Sequence, residues 1–87
     1  MGIIKFFVQS RCPRCAQAKQ VGDALKKEGF RVLEYDMETA DGLAEASFYS
    51  VQSTPTFILE DQEENTIADF RGEVPTLQKI NKLMDGV

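Results

Sequence analysis

Two cysteines, Cys12 and Cys15, stand between a short apolar run and a helical pattern, and this arrangement limits the folds open to the chain. They are its only cysteines. The run from Ile3 to Val8 is β-branched and aromatic, as in a central strand covered on both faces. With a strand before and a helix after, the spacing predicts Cys12 at the helix N-cap and Cys15 one turn inside. The first thiol then faces the free N–H groups and positive dipole end of the helix, which stabilise a thiolate.

The residues around the cysteines agree with this prediction. Pro13 suits the first helical position, because its φ is already fixed and its missing N–H would have no partner there. Arg11 and Arg14 add two permanent positive charges near the thiols. The spacing allows a disulfide between neighbours on one turn, so the pair can cycle between dithiol and disulfide. We therefore expect thiolate chemistry at this cysteine pair.

The remaining patterns predict six more elements after the first strand. The helix that follows the first cysteine is expected at 13–28, and Gly29 ends it. Gly22 in the middle of this helix indicates either close packing on the sheet or a position that merely tolerates glycine. The others are a strand at 30–35, a helix at 41–49 capped by Asp41, strands at 56–59 and 66–71, and a helix at 75–84. The acidic stretch 60–65 is expected to be a solvated turn. The order βαβαββα predicts one α/β domain over residues 1–87, with helices on both faces of the sheet.

Composition and charge exclude several classes of function. The chain has 87 residues, of which 43% are hydrophobic, and this suffices for one modest core. Its net charge of −4 and scattered basic residues make nucleic-acid binding unexpected. The N-terminal residues lack a signal-peptide pattern, and no segment approaches the roughly 18 apolar residues of a membrane span. We expect a cytoplasmic protein without a membrane partner, where a lone cysteine pair is more often catalytic or metal-binding than structural.

The element order and two motifs resemble the thioredoxin/glutaredoxin superfamily over nearly the whole chain. The motifs are Cys12-Pro13-Arg14-Cys15 at the first strand-to-helix junction and Thr54-Pro55-Thr56 at the start of the third strand. The front half looks like a glutaredoxin, whereas residues 49–59 and 70–72 are similar to thioredoxin. The resemblance implies a thioredoxin fold, a four-stranded mixed sheet flanked by three helices. It also implies an enzyme that reduces protein disulfides through the cysteine pair.

The resemblance and the helix position together imply a role for each site residue. Cys12 would be the nucleophile and Cys15 the resolving cysteine. Pro55 would be cis and lie against the cysteine pair, and the backbone of Thr54 would hydrogen-bond an incoming chain as a short added strand. Contacts with the substrate are expected from six residues: Arg11, Pro13, Arg14, Thr54, Pro55 and Gly72.

The chain departs from the thioredoxin pattern at three positions. Arg11 stands where thioredoxins usually have a Trp just before the first cysteine, and Phe6 stands where they bury an Asp. The lysine that accompanies that Asp is also missing, with Val32 near its place. The usual proton acceptor for Cys15 is therefore absent, and we expect water or the thiolate of the substrate to replace it.

Two other functions remain open beside protein-disulfide reduction. One is a glutathione-dependent glutaredoxin. Against it, Arg14 replaces the usual Tyr, and residues 53–55 and 71–74 lack the glutathione-binding patterns. Arg14 or Arg71 could still attract a glutathione carboxylate. The other is a metal or iron–sulfur module, for which two cysteines and no histidine supply only two ligands. We expect no cofactor besides the redox-active disulfide, no metal in a single chain, and a monomer that thioredoxin reductase or glutathione reduces.

Overall fold

The computed structural model describes residues 2–87, and its seven elements follow the predicted order βαβαββα. They are β1 (Ile3–Val8), α1 (Cys15–Lys27), β2 (Arg31–Asp36), α2 (Ala40–Phe48), β3 (Thr56–Glu60), β4 (Thr66–Arg71) and α3 (Leu77–Met84). No helix in this part of the chain is both long enough and apolar enough to cross a membrane.

The four strands form one mixed sheet in the order β2-β1-β3-β4. Strand β1 pairs in parallel with β2 and antiparallel with β3, and β4 pairs antiparallel with β3. The parallel pair needs a crossover, which α1 provides, whereas a short hairpin joins β3 to β4. The predicted α/β thioredoxin fold with a mixed sheet and three helices is confirmed.

Two hydrophobic cores lie on opposite faces of the sheet. The larger core packs α1 and α3 on one face, and its β1 members are Ile4, Phe6 and Val8. The smaller core lies under α2 and includes Phe7 from the same strand. Because successive strand residues point to opposite faces, β1 contributes to both cores, and only Ile3 among its six residues escapes full burial. The predicted central strand, covered on both sides, is confirmed.

Gly22 permits close packing of α1 on the sheet. A Cβ atom at this position would lie 2.7 Å from Cε1 of Phe6, which is closer than carbon atoms approach in folded proteins. The glycine costs about 1 kcal/mol in helix propensity relative to alanine. Close packing, rather than tolerance of a neutral position, therefore accounts for Gly22.

The helices α2 and α3 begin with threonine caps that sequence patterns did not indicate. Thr39 Oγ1 accepts a hydrogen bond from the N–H of Gly42 at 3.0 Å, so α2 begins one residue before the predicted cap Asp41. Thr76 caps α3 in the same way, so α3 begins at Leu77, two residues after the predicted start at position 75. In each case an extended residue with a side-chain oxygen satisfies a free N–H of the first turn.

The prediction of a solvated turn at 60–65 is wrong at its first residue. Glu60 belongs to β3, pairs with Ile3 of β1, and is only 1% exposed. Residues 62–65 are exposed as expected. Local charge predicted a solvated carboxylate, but strand pairing extends β3 by one residue and buries it.

A buried lysine accounts for the position of Glu60. Lys5 on β1 is 6% exposed, and its Nζ lies 3.3 Å from Glu60 Oε1. Lys5 donates a hydrogen bond to Tyr49 Oη at 2.8 Å, and Tyr49 Oη donates to Glu60 Oε2. Glu45 lies 3.4 Å from the same ammonium group at the edge of the cluster. The smaller core thus contains the ion pair of Lys5 and Glu60, and the phenol of Tyr49 connects the two.

These contacts change the proton affinities of the cluster. Burial lowers the pKa of Lys5, but the hydrogen bond with Tyr49 and the charge of Glu60 outweigh it, so this pKa is raised above its ordinary value. Burial and the hydrogen bond to Glu60 raise the pKa of Tyr49. Burial and the charge of Glu45 raise the pKa of Tyr35. At neutral pH the lysine is therefore charged and both phenols are neutral.

Candidate active site

Cys12 and Cys15 form a disulfide in the turn that leads from β1 into α1. Their Cα atoms are 5.3 Å apart. The N–H of Cys15 donates to the carbonyl of Cys12 at 3.2 Å, which closes a turn before the helix starts. The helix N-cap is therefore Arg14, Cys15 is the first residue of α1, and Cys12 precedes the cap by two residues. The prediction that Cys12 is the N-cap and Cys15 lies one turn inside is wrong, although both remain at the N-terminal end of the helix.

The two sulfurs differ in exposure. Cys12 is half-buried, whereas Cys15 is only 5% exposed and belongs to the larger core. Of the two cysteines, Cys12 is therefore the one accessible from solvent. The same asymmetry leaves Cys15 close to Cys12 but shielded from solvent.

The interior behind the disulfide is apolar. Phe6 is 1% exposed and Val32 is 9% exposed, and both belong to the core that contains Cys15. Apart from cysteine, the only fully buried ionisable side chains among residues 2–87 are Lys5 and Glu60. Both lie on the other face of the sheet, since they share the register positions of the α2 side. No buried carboxylate in this part of the chain is placed to accept the proton of Cys15.

A polar pocket of about 400 Å³ lies beside the disulfide, at the end of β2. Both cysteines line it, together with polar or charged side chains from three segments: Gln9, Ser10, Arg11, Lys19, Asp36 and Glu38. Sequence analysis did not identify Lys19, Asp36 and Glu38. A signal existed for Lys19, because it follows Cys15 by four residues and so shares its helix face.

Glu38 fixes the loop that precedes Cys12. Its carboxylate accepts hydrogen bonds from the N–H of Ser10 at 2.7 Å and from Ser10 Oγ at 2.9 Å. The next residue, Arg11, has φ of 62°, in the left-handed region that side chains other than glycine rarely adopt. The two bonds from Ser10 hold the chain at this turn and present Cys12 at the surface.

On the other side of the disulfide, the Thr54–Pro55 peptide bond is cis, as the resemblance implied. Phe7 pairs with Thr56, so Pro55 is level with the end of β1 from which the cysteine turn departs. Thr54 precedes β3, and neither its N–H nor its carbonyl hydrogen-bonds to another residue within 2–87. The backbone of Thr54 is therefore an open edge beside the cysteines.

Arg14 connects the cysteine turn to the end of β4. Its Nη2 donates to the carbonyl of Gly72 at 2.9 Å. Gly72 has φ of 74°, in the left-handed region that favours glycine, and a Cβ atom there would be in ordinary contact with Ser53 Oγ at 3.4 Å. The structure thus brings together the predicted residues Arg14, Gly72 and the segment that begins at Ser53. Pro13 lies exposed in the turn between the cysteines.

Metal-binding side chains are not clustered in the described chain. Among residues 2–87, no three side chains of His, Cys, Asp or Glu come close enough together to hold a metal ion.

Comparison with known proteins identifies the family. Residues 3–85 match the family described as a thioredoxin domain. A protein of Archaeoglobus fulgidus described as a probable thioredoxin is 30% identical over 87 residues, which cover 99% of this chain and 93% of that protein.

Solved structures show the same fold. Thioredoxin-2 of a malaria parasite superposes with a TM-score of 0.81 at 24% identity, over 98% of this chain and 82% of that one. A thioredoxin variant from Halobacterium salinarum gives the same TM-score at 19% identity, over 97% of this chain and 72% of that one. Sequence and structure agree, and the chain belongs to the thioredoxin family as a thiol–disulfide oxidoreductase.

Proposed function

We propose that this oxidoreductase reduces disulfides in proteins, with Cys12 as the nucleophile and Cys15 as the resolving cysteine. The observation that carries this assignment is the difference in exposure between the two sulfurs, half-buried for Cys12 and 5% exposed for Cys15. The open backbone of Thr54 supports a protein substrate, because an extended chain can add there as a short strand. We propose that the reaction takes place in the cytoplasm and that the protein acts as a monomer.

The reaction has two exchange steps. The Cys12 thiolate attacks one sulfur of the substrate disulfide, which forms a mixed disulfide and releases the first substrate thiolate. Cys15, as its thiolate, then attacks Cys12 Sγ, which forms the internal disulfide and releases the second substrate thiolate. Two electrons pass from the dithiol to the substrate, and the protons of the two cysteines end on the substrate thiols. An external dithiol or thiol, from thioredoxin reductase or glutathione, restores the reduced form.

Proton transfer from Cys15 is assigned to water in the polar pocket or to the departing thiolate. The core behind Cys15 contains Phe6 instead of a carboxylate, whereas both cysteines line a pocket of about 400 Å³. At about 30 Å³ for each water molecule, this volume holds several of them among polar partners. Water that enters the pocket can therefore approach the cysteine pair from the end of β2.

The role assignment is tested by two serine variants, each incubated in its reduced form with a disulfide-containing protein and quenched in acid. We expect Cys12→Ser to abolish exchange, because no exposed nucleophile remains. Cys15→Ser should still perform the first attack and accumulate the mixed disulfide, visible by intact mass. Equal and partial losses in the two variants would contradict the assignment.

The choice between protein-disulfide reduction and glutaredoxin chemistry is tested in glutathione redox buffers. The intact mass of the wild-type protein is measured after anaerobic equilibration and acid quench. Loss of two hydrogens with almost no glutathione adduct is the expected result. A persistent adduct would instead favour the glutathione-dependent reaction, and the absence of any redox response would overturn both.

A further inference from the structure

Two arginines on either side of Cys12 have no acidic partner in the described chain. Arg11 and Arg14 are both exposed, and neither lies within 4.0 Å of a carboxylate oxygen of residues 2–87. Arg71, by contrast, pairs with Asp69 at 3.1 Å and donates to two backbone carbonyls. Although the net charge of the chain is −4, two unpaired guanidinium groups therefore flank the reactive sulfur in the sequence.

Arg14 is already oriented by the protein. One of its N–H groups is bound to the carbonyl of Gly72 at 2.9 Å, so the side chain extends from the cysteine turn towards the end of β4. A guanidinium group has five N–H donors, and the others remain available. Because the anchor limits the rotamers of Arg14 before binding, less conformational entropy is lost when a ligand binds there.

The carboxylates near the disulfide lie mostly on the side of Arg11, away from Arg14. Asp36 and Glu38 line the pocket at the end of β2 together with Arg11, and the carboxylate of Glu38 is occupied by Ser10. The sheet order places β2 and β3 on opposite sides of β1, so these acids lie away from the open backbone that precedes β3. On the side of β3 and β4, the carboxylate of Asp69 is paired and that of Glu73 is exposed and unpaired.

We propose that Arg11 and Arg14 select protein disulfides whose cysteines are flanked by acidic side chains. The proposal rests on protein-disulfide reduction as the function. A chain that adds along Thr54 with its cysteine at Cys12 passes over the anchored guanidinium of Arg14, where a carboxylate can accept two N–H bonds. Arg11 attracts a carboxylate on the other side of the attacked sulfur. Such charges chiefly raise the rate of productive encounter.

The test uses two synthetic peptides that contain the same disulfide and differ only in the flanking residues, which are Glu in one and Gln in the other. The second-order rate constant for reduction by the reduced protein is measured for each at low ionic strength. We expect the Glu peptide to be reduced about five-fold faster, as for an exposed ion pair of about 1 kcal/mol. The preference should fall in 1 M salt, where charges are screened within about 3 Å.

Arg14→Gln removes the charge but keeps an amide donor for Gly72, and Arg11→Gln removes the other charge. Each should lower the ratio of the two rate constants, and the double variant should bring it close to one. The ratio cancels any change in the nucleophilicity of Cys12, because both peptides meet the same thiolate. Lys26→Gln, an exposed position at the far end of α1, changes the net charge equally and should leave the ratio unchanged.

Equal rates for the two peptides with the wild-type protein would overturn the proposed selection while leaving protein-disulfide reduction intact. A preference that survives in the double variant would also overturn it. If the protein reduces neither peptide under conditions in which dithiothreitol reduces both, the proposed function fails as well.

Discussion

One face of the sheet buries an ion pair and the other is apolar, and two adjacent residues of β1 show the difference. Phe6 faces α1 and α3, in an apolar core that also contains the buried cysteine. Lys5 faces α2, where it pairs with Glu60 and donates to Tyr49. One strand therefore places an aromatic ring behind the disulfide and an ion pair on the opposite face.

This chain keeps buried charge away from its reactive sulfur. Among residues 2–87, the core around Cys15 is apolar and contains no buried carboxylate. The charged cluster lies under α2 and reaches Glu60, which pairs with Ile3 at the end of the sheet remote from the cysteines. We therefore expect substitutions on the two faces of the sheet to have separate effects.

The largest expected effect comes from breaking the buried ion pair. Lys5→Met leaves Glu60 buried without a countercharge and should lower the free energy of unfolding by about 3–5 kcal/mol. Lys5→Met combined with Glu60→Gln removes both charges and keeps an acceptor for Tyr49, so most of the stability should return. Urea unfolding measures both. Equal destabilisation of the single and double variants would show that the charge itself is not the cause.

On the other face, the close contact of Gly22 with Phe6 is the feature to test. Gly22→Ala should gain up to about 1 kcal/mol in helix propensity, yet the new methyl group would collide with the buried ring. We expect a net loss of about 1–2 kcal/mol, which is typical of overpacking. In a Phe6→Leu background the same substitution should cost less. A stabilising Gly22→Ala in the wild-type protein would contradict the close packing.

The helix caps provide a matched pair, one on each face. Thr39→Ala on α2 and Thr76→Ala on α3 should each cost about 1 kcal/mol. The loss should be larger at Thr39, because its hydroxyl also donates to the carbonyl of Asp36 at 2.8 Å. Serine at either position keeps the oxygen and serves as the control. Thermal or urea unfolding gives the difference, and equal losses would mean that the second bond contributes nothing.

The smallest expected effect is a loss of stability in alkali that depends on Lys5. Its pKa is raised in the folded protein, so its contribution is complete below the unfolded pKa of about 10.4 and is lost as pH rises towards the folded value. By pH 11 the loss from this group should reach about 1 kcal/mol. The raised pKa values of Tyr35 and Tyr49 act in the same direction. The double variant at Lys5 and Glu60 should lack the alkaline loss of stability that Lys5 causes. If its stability falls with pH as much as that of the wild-type protein, the loss does not come from this ion pair.

Local patterns predicted much of the fold and the chemical centre of the site. The order of the elements, the central position of β1 and the cysteine pair at the junction of β1 and α1 are all confirmed. The bounds of the helices were less accurate, because caps such as Thr39 and Thr76 depend on where the preceding chain enters. The N-cap assigned to Cys12 failed for the same reason, since a turn closes between the cysteines before the helix starts.

The meeting of strand and helix at Cys12 and Cys15 could be predicted from the printed residues, because hydrophobic period and cysteine spacing are local properties. The surroundings of the two cysteines could not, because they depend on the folded chain. Glu38 and Ser10 are separated by 28 residues, and Arg14 and Gly72 by 58, so these contacts depend on how distant segments pack. The burial of Glu60 follows from the same cause, since strand pairing places it against Lys5. Long-range contacts leave no periodic signal in a single chain, and therefore appeared only in the folded protein.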